Sequence, residues 1–446
     1  MIEELIAAGI KGHLCIRTNE IASEAPAEFP LEPIVRDRDR IYLQRNWVIE
    51  TTLLKHLRRL REATPRPLES FVFPKNLSPA QEEVIRWAAS HSVTMVSGGP
   101  GTGKTFTAAE LVKAFSGLRI KIAAPTGKAA DRLVKAIGRP VEAGTLHRLL
   151  GLAPGRNRIF KNELLDADLI LVDEASMIDA SLFAHLFAAV PSGARLVLLG
   201  DADQLPPIQG GGVYSDLCAI SAIYLDRCHR IENQELHALY DAARRGDAES
   251  FRLEPLGEDL IDLFDQALPK SSFEERPDPR MLFDHFDEAR VLCPLRKGPL
   301  GVDAINRALL ERREKRGRWR CAPILITGND AQLKIYNGTA GIVLGQEAFF
   351  PDGRSIPLGK LPGYEVAFAL SVHKSQGSEF KTVLCCLPPG SEEFGKRALY
   401  TAVTRAKREV RFFGSKETLE ALMAKESRQE NGIKDRFKAE CGEGSL

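Results

Sequence analysis

The chain has no marked excess of either charge, no long apolar run and no cysteine pattern typical of a metal site. Its net charge is +1, so any surface for nucleic acid must be local. The eight cysteines are scattered, contain no C-x-x-C pair and lack zinc spacing, which is typical of free thiols in a reducing compartment. No apolar run approaches a membrane span, and Met1-Ile2-Glu3-Glu4 is acidic where a signal peptide is basic. We expect a cytoplasmic protein.

The length and the composition indicate a globular protein of several domains. A chain of 446 residues is too long for one ordinary core, so we expect roughly three or four structural units. From Leu77 onward, short β-branched runs alternate with helical patterns, which predicts a parallel sheet covered on both faces. Strands are expected at 93–96, 120–124, 169–172 and 196–199, and helices at 106–115, 127–137 and 179–189.

One segment matches the phosphate-binding loop pattern G-x-x-x-x-G-K-[ST], namely Gly98-Gly99-Pro100-Gly101-Thr102-Gly103-Lys104-Thr105. An expected strand precedes it and an expected helix follows, which is the context that the motif requires. Backbone N–H groups of such a loop surround the phosphates, and the helix N-terminus favours their negative charge. We expect Lys104 to reach the β and γ oxygens and the Thr105 hydroxyl to bind Mg²⁺. The sequence therefore predicts binding and hydrolysis of a nucleoside triphosphate.

Two further expected strands end in polar residues that suit the same chemistry. Asp173 and Glu174 directly follow the run 169–172, and Gln204 lies just past the run 196–199. Ligands of open α/β folds bind at the carboxyl edge of the sheet. We expect Asp173 to hold Mg²⁺, Glu174 to polarise the attacking water and Gln204 to sense the γ-phosphate. Taken alone, an acidic pair at a helix N-terminus and a Pro-rich loop are the alternative explanations.

Together these motifs resemble those of the superfamily 1 DNA helicases, and most closely the RecD subunits of exodeoxyribonuclease V. The similarity runs from Leu77 to about Phe413 in the order that the family has. Gln81 resembles the glutamine that reads adenine, Arg405 the arginine finger and Arg230 a second γ-phosphate arginine. By itself, an arginine is more often a solvated surface charge. The resemblance adds Gly377 and Glu379 to the nucleotide-binding residues Gly98, Gly99, Pro100, Gly101, Thr102, Gly103, Lys104 and Thr105.

Three segments resemble those with which the family grips single-stranded DNA. Two belong to the first half of the chain, Ala124-Pro125-Thr126-Gly127-Lys128-Ala129-Ala130 and Thr145-Leu146-His147-Arg148. The third is Ser371-Val372-His373-Lys374-Ser375-Gln376-Gly377-Ser378-Glu379, which also links DNA to the nucleotide. The implied DNA contacts are Pro125, Thr126, Lys128, Thr145, His147, His373, Ser375 and Gln376.

The resemblance implies an α/β fold with two RecA-like P-loop NTPase domains, a small inserted β-barrel and a short helical N-terminal domain. The N-terminal domain for partner contact is expected at 1–75, with a helical pattern at 42–60, and the first RecA-like domain at 76–222. The second RecA-like domain is expected at 223–320 and 365–430, interrupted by the barrel at 321–364 and followed by a C-terminal tail at 431–446. The acidic stretch 247–288 is expected to be rich in loops.

The function that the resemblance implies is that of an ATP-dependent 5′-to-3′ DNA helicase or translocase with ATP and Mg²⁺ as cofactors. Its partners are single-stranded DNA, duplex ends, and RecB- and RecC-like subunits of a heterotrimer that acts in double-strand-break repair and recombination. Nuclease activity is expected in a partner subunit. A stand-alone RecD-like helicase is the main alternative, and a non-motor ATP switch is another.

Three other patterns carry weaker signals. The basic run 307–320 could contact DNA phosphates, although such runs are more often solvated helix faces. Glu379-Phe380-Lys381 mimics the E-x-K of nucleases, but it lies inside a helicase motif and lacks a clear aspartate partner. Cys228-His229 lacks further ligands at metal spacing, so a metal site there is not expected.

Overall fold

The computed structural model describes residues 2–20, 33–68, 71–152, 163–226, 234–269, 272–273, 278–315, 319–330, 332–426 and 429–441. The chain divides into two compact units, of which the first contains Met1–Ile231 and Arg428–Leu446 and the second Glu232–Ser427. Both chain ends therefore belong to the first unit. Within the described ranges, no helix combines the length and the hydropathy that crossing a bilayer requires.

The described α-helices are α1 Ile2–Ile10, α2 Gln44–Glu62, α3 Pro79–Ser90, α4 Lys104–Ala114, α5 Gly127–Ile137, α6 Leu146–Leu149, α7 Ala180–Ala189, α8 Tyr214–Ile220, α9 Gln234–Arg245, α10 Leu260–Ala267, α11 Pro279–Phe286, α12 Val302–Glu314, α13 Lys396–Val403, α14 Lys416–Ala424 and α15 Ile433–Cys441. The described strands are β1 Cys15–Arg17, β2 Ile34–Asp37, β3 Arg40–Leu43, β4 Val93–Gly98, β5 Ile120–Ala124, β6 Glu142–Thr145, β7 Leu169–Val172, β8 Arg195–Gly200, β9 Ile223–Leu225, β10 Leu253–Glu254, β11 Ser272–Phe273, β12 Ala289–Cys293, β13 Trp319–Ile326, β14 Ala340–Leu344, β15 Glu347–Phe349, β16 Ser355–Pro357, β17 Tyr364–Val366, β18 Ala369–Ser371, β19 Phe380–Leu387 and β20 Ala406–Gly414.

A parallel sheet of order β6-β5-β7-β8-β4-β9 forms the centre of the first unit. The central strands β7, β8 and β4 are buried along their whole length because helices cover both faces. Successive residues of β7 show this directly: Leu169 and Leu171 pack in one hydrophobic cluster, and Ile170 and Val172 in another. The predicted parallel sheet covered on both faces is confirmed.

The edges of this sheet differ from the prediction. The sequence indicated that a second α/β series starts near residue 223, but β9 pairs with β4, with Val96 opposite Ile223. The edge strand β6, which pairs with β5, was not predicted. Both strands have only three or four residues, too few for hydrophobic periodicity to assign them to this sheet. Their place is fixed by hydrogen bonds to strands that are distant in sequence.

The second unit contains a second parallel sheet, of order β10-β20-β19-β12-β18. The expectation of a loop-rich stretch at 247–288 was wrong, because this stretch contributes the edge strand β10 and the helices α10 and α11. In α10 the buried residues are Leu260 and Phe264, one turn apart, and the acidic residues of the helix, Asp262 and Asp265, lie at partly exposed positions. The acidic composition obscured this short amphipathic pattern.

An antiparallel sheet lies within the second unit. Its order is β11-β13-β14-β15-β16, and β17 pairs with β13 beside β11. It has its own apolar core, formed by Ile324, Ile326, Ile335, Val343, Ala348, Phe350 and Ile356.

The chain ends pack together in the first unit. The N-terminal segment combines α1 and α2 with an antiparallel sheet of order β1-β3-β2, so it is not purely helical as the sequence suggested. The expected C-terminal tail instead contains α15, whose Ile433 and Phe437 join the same hydrophobic cluster as Leu53 and Leu57 of α2. The C-terminal residues thereby complete a core that begins at the N-terminus.

A buried ion pair joins these two ends. The Glu50 carboxylate, which is 0% exposed, accepts hydrogen bonds from Arg436 Nη1 at 3.0 Å, Gly432 N at 3.1 Å and Tyr42 Oη at 3.2 Å. Burial raises the pKa of Glu50, and the Gly432 N–H and Arg436 oppose that rise. The Arg436 guanidinium also lies 3.6 Å from the Trp47 ring centroid. Each of the three donors helps to compensate a carboxylate that water does not reach.

Replacing Arg436 by Ala is expected to destabilise the first unit by about 3 kcal/mol, because it leaves the Glu50 charge buried without its cationic partner. By differential scanning calorimetry, we expect the unfolding temperature of that unit to fall by roughly 6–12 °C. Lys416→Ala is the control, since it removes an exposed ion pair with Glu249. An Arg436→Ala protein that unfolds at the wild-type temperature would contradict this account.

Candidate nucleotide-binding site

The phosphate-binding loop connects the end of β4 to the start of α4. Gly101 and Gly103 adopt φ values of +74° and +87°, in the left-handed region that favours glycine. A Cβ on Gly98 would lie 2.6 Å from Thr102 Oγ1 and 2.9 Å from the Leu225 carbonyl oxygen. The loop therefore needs glycine both for its turns and for its close contact with β9.

The Lys104 side chain folds back over this loop. Its Nζ donates hydrogen bonds to the carbonyl oxygens of Gly98 and Gly99, the latter at 2.8 Å. The Thr102 hydroxyl donates to the Gly99 carbonyl at 2.8 Å. The ammonium group is thus held at the mouth of the loop by neutral acceptors, which a phosphate oxygen can replace.

Two carboxylates follow β7. Asp173 is buried, and its backbone N–H donates to the Ala123 carbonyl of β5 at 3.0 Å. Glu174 adopts φ +53°, an uncommon conformation for a residue with a side chain, and its N–H donates to Asp173 Oδ1 at 2.9 Å. Arg132 of α5 reaches the pair, with Nη2 at 2.7 Å from Glu174 Oε1 and 3.7 Å from Asp173 Oδ2. The sequence reasoning missed Arg132 because its partner is 42 residues away.

The loop after β8 contributes an amide and a third acid. Gln204 Nε2 donates to Asp201 Oδ2 at 2.9 Å, and both side chains are buried. The Ala202 N–H donates to Ser97 Oγ of β4 at 3.0 Å, which fixes this loop against the strand that leads into the phosphate-binding loop. Asp201 was also missed, although it directly follows a buried strand, as Asp173 does.

The electrostatics of the site favour a cation. Burial, with repulsion from Glu174 as a second cause, raises the pKa of Asp173 to about 6, against the attraction of Arg132 and Lys104. Burial likewise raises the pKa of Asp201, and Lys104 opposes it. Among the described residues, Asp173 Oδ2 and Gln204 Oε1 are buried oxygens that accept no hydrogen bond. Such oxygens suit a magnesium ion with its bound waters, and the N–H groups of the loop suit phosphates.

Gln81, the predicted adenine reader, forms a capping box at the start of α3. Its Oε1 accepts from the Ser78 N–H at 3.0 Å, and its own N–H donates to Ser78 Oγ at 3.4 Å. The side-chain oxygen is therefore engaged within the protein. Contact between Gln81 and adenine stays a prediction. It would use the side-chain amide nitrogen, which neither of these hydrogen bonds involves.

The five DNA-contact candidates of the first unit come together at one edge of its sheet. Pro125 follows β5, and Thr126 is the N-cap of α5, where its hydroxyl accepts from the Ala129 N–H at 3.3 Å. Thr145 ends β6, directly beside Ala124 of β5, and caps α6 in the same way. Lys128 and His147 are exposed. The capping hydroxyls hold both helix starts in place, while the basic side chains face solvent.

The corresponding candidates of the second unit lie in the turn between β18 and β19. Ser375 is 0% exposed and its hydroxyl donates to the Val372 carbonyl at 2.7 Å, a contact that shapes the turn, so its contact with DNA stays a prediction. Burial lowers the pKa of His373 to about 4, which makes its ring neutral at pH 7. Gln376 and Gly377 are largely buried, and Glu379 pairs with Lys407 at 3.6 Å.

Of the two predicted arginines, Arg230 lies outside the described residues. Arg405 is 4% exposed, and its guanidinium donates to the Thr401 carbonyl at 3.2 Å, the Ser378 carbonyl at 3.3 Å and Thr404 Oγ1 at 3.2 Å. It therefore ties the end of α13 to the turn that carries Gln376 and Gly377. The guanidinium of Arg405 is therefore hydrogen bonded within the second unit and largely shielded from solvent.

The basic run 307–320 is partly structural. Arg313 is buried and donates to Pro269 O at 2.6 Å and Asp265 O at 3.0 Å, at the C-terminal end of α10. Arg312 pairs with Asp262 and with Asp265. These two arginines are therefore engaged within the second unit.

Fold and site together define a P-loop nucleoside triphosphatase. A family model described as an AAA domain matches residues 76–258, and one described as a UvrD-like helicase C-terminal domain matches residues 366–413. A solved structure of two coordinating Pif1 helicases at forked double-stranded DNA covers 83% of this chain at 19% identity, with a TM-score of 0.49.

Curated relatives give a narrower class. The RecBCD enzyme subunit RecD of Mycolicibacterium smegmatis is 33% identical, and the match covers 90% of this chain and 82% of that protein. The RecD subunit of Mycobacterium tuberculosis H37Rv is 34% identical over 94% of this chain and 84% of that protein. The ATP-dependent RecD2 DNA helicase of Deinococcus radiodurans is 34% identical over 87% of this chain, but only 56% of that protein is covered. The chain belongs to the RecD family of helicases.

Lys104→Ala is expected to lower kcat for nucleotide hydrolysis by at least about 100-fold, because it removes the only loop cation predicted to reach the transferred phosphate. The fold should persist, since Lys104 Nζ contacts only loop carbonyls among the hydrogen bonds described for it. Steady-state hydrolysis and circular dichroism check the two expectations. Lys113→Ala, on the same helix and paired with Glu110, is the matched control. Robust turnover by the Lys104 variant would remove the assignment of this loop.

Proposed function

We propose that this chain is an ATP-dependent 5′-to-3′ DNA helicase or translocase that serves as a RecD motor subunit of exodeoxyribonuclease V. Membership of the RecD family makes it an ATP-dependent DNA helicase. One observation carries the proposal. The adjacent strands β4, β7 and β8 bring Lys104, Asp173 and Gln204 to the same edge of the sheet. The polarity and the partner subunits go beyond what family membership states.

The first unit would perform the hydrolysis. Lys104 and the N–H groups of 98–105 would bind the β- and γ-phosphates of ATP, and Gln81 would contact the adenine. Thr105 and Asp173 would hold Mg²⁺, which neutralises phosphate charge when it is bound. Glu174 would take the proton of the attacking water, and Gln204 would contact that water or the γ-phosphate. This assignment is supported by the buried oxygens of Asp173 and Gln204 that lack hydrogen bonds within the described chain.

The second unit would contribute Arg405, and Arg230 would complete the γ-phosphate contacts. A guanidinium beside the γ-phosphate neutralises charge that develops in the transition state. Because Arg405 is hydrogen bonded to the turn that holds Gln376 and Gly377, a change at the nucleotide would reach that turn through one side chain. ATP and its products would then stabilise different states of the enzyme.

DNA would be bound by the exposed Lys128 and His147 together with the capped loops around Thr126 and Thr145. The neutral His373 would act through hydrogen bonding or stacking rather than through charge. Binding of this kind depends on backbone phosphates and stacked bases, so it would be largely indifferent to sequence and sensitive to salt.

Two further parts of the chain have proposed roles, namely an inserted domain and a partner-binding segment. We assign the antiparallel sheet with its own core to the inserted small β-barrel of the predicted fold. The N-terminal segment would contact RecB- or RecC-like subunits. A stand-alone helicase is the second candidate, because the RecD2 helicase of Deinococcus radiodurans matches this chain at the same 34% identity as a RecD subunit does.

The pure chain should hydrolyse ATP much faster with single-stranded DNA than without it, and any partial duplex that it unwinds should carry a 5′ tail and not a 3′ tail. Fluorescent strand displacement, measured with and without ATP, checks the polarity. Lys104→Ala is the control for ATP dependence. Unwinding by the chain alone supports the stand-alone candidate, whereas DNA-dependent hydrolysis without unwinding supports a motor subunit. Hydrolysis that ignores DNA would overturn both and favour an ATP switch.

Arg405→Ala should lower kcat by about 10³-fold while changing the affinity for ATP far less, because the guanidinium acts on transition-state charge. Single-turnover hydrolysis and binding of a fluorescent ATP analogue separate the two effects. Arg408→Ala provides the control, since it removes an exposed arginine three residues away. Equal losses in turnover and in binding would argue against the finger role.

A further inference from the structure

The Arg132–Glu174 ion pair is not explained by the catalytic scheme. Arg132 Nη2 donates to Glu174 Oε1 at 2.7 Å. The same nitrogen lies 3.7 Å from Asp173 Oδ2, which the scheme assigns to Mg²⁺. In this state a protein cation therefore occupies the position between the two acids on which hydrolysis depends.

This contact restrains the residue that must approach water. The Glu174 side chain is only 10% exposed, and one of its two oxygens is engaged by the guanidinium. Its backbone is held at φ +53° and donates to Asp173 Oδ1, so the residue has little freedom to reorient while the pair persists. A charge-assisted hydrogen bond of this length is among the stronger polar contacts in proteins. The pair therefore engages the carboxylate that the catalytic scheme assigns to the attacking water.

Arg132 belongs to the helix that is proposed to bind DNA, and this step rests on the proposed function. It lies on α5 four residues after Lys128, so both side chains project from the same face of the helix, with Cβ atoms about 6 Å apart. The Arg132 side chain is 37% exposed, which allows a polyanion at the start of α5 to attract it. Phosphate and carboxylate oxygens are equivalent partners for a guanidinium.

We propose that Arg132 is a positioning residue that makes ATP hydrolysis depend on DNA. Without DNA it restrains Glu174. A DNA phosphate at the N-terminal end of α5 draws the guanidinium away, and Glu174 becomes free to act as the base. One side chain thus couples the strand to the nucleotide within the first unit.

The test compares kcat for ATP hydrolysis of wild type and Arg132→Gln, with and without saturating oligodeoxythymidylate. We expect the DNA-free kcat of the variant to rise at least about fivefold, while the DNA-saturated kcat stays near that of wild type. The stimulation ratio then falls by the same factor. A residue with a merely structural role would lower both rates and leave the ratio unchanged. Lys135→Gln removes an exposed charge from the same helix and should keep the wild-type ratio.

Two further variants make the result specific. Arg132→Lys keeps the positive charge but lacks the planar guanidinium. Its DNA stimulation ratio should therefore fall between those of wild type and Arg132→Gln. This variant serves as the test if Arg132→Gln does not fold. In a Glu174→Gln background, Arg132→Gln should raise no DNA-free activity. A DNA-free kcat of Arg132→Gln that equals or falls below that of wild type would overturn the inference. Wild-type hydrolysis that DNA does not stimulate would instead overturn the proposed function.

Discussion

Parallel pairing of β8 with its two neighbours, β7 and β4, is the constraint on which the site depends. These three strands are buried on both faces, and none of the predicted catalytic side chains lies within them. Because parallel strands end at the same edge, pairing them brings a lysine loop, a pair of acids and an amide into one place. The packing of the buried strands thus determines the geometry of the charged site, although the charged residues lie in the loops after the strands.

That charged site is unbalanced without a ligand. Asp173, Glu174 and Asp201 bring three carboxyl groups to a region in which Lys104 and Arg132 are the opposing cations described. Burial raises the pKa of both aspartates, so the folded chain alone stabilises their ionised forms poorly. As proposed above, a divalent cation beside Asp173 would place positive charge next to these carboxyl groups. Electrostatics would then favour a triphosphate bound with its cation over the bare triphosphate.

The sequence predicted those features that are local in the chain. Runs such as 120–124 and 169–172 were predicted with the bounds that β5 and β7 have, because an apolar run bounded by polar residues carries its own limits. The phosphate-binding loop is likewise a continuous pattern. Features that depend on a distant partner were missed, including the pairing of β9 with β4, the Arg132–Glu174 pair and the return of α15 to the N-terminal core. The burial of Ser375 was likewise not predicted, because a motif gives residue types and not their exposure.

A helix is a suitable element for coupling two charged sites over a short distance. In α5, Thr126 caps the N-terminal end and Gly138, at φ +69°, caps the C-terminal end. Because both ends are capped, we expect the helix to shift as a rigid unit. Its apolar residues Leu133 and Ile137 are buried against the sheet, which limits any motion to small shifts. The charge-assisted contact of a guanidinium weakens as the distance to its partner grows, so small shifts are enough to change it. The coupling therefore needs no large rearrangement: exchange of one anion for another at a single arginine is sufficient.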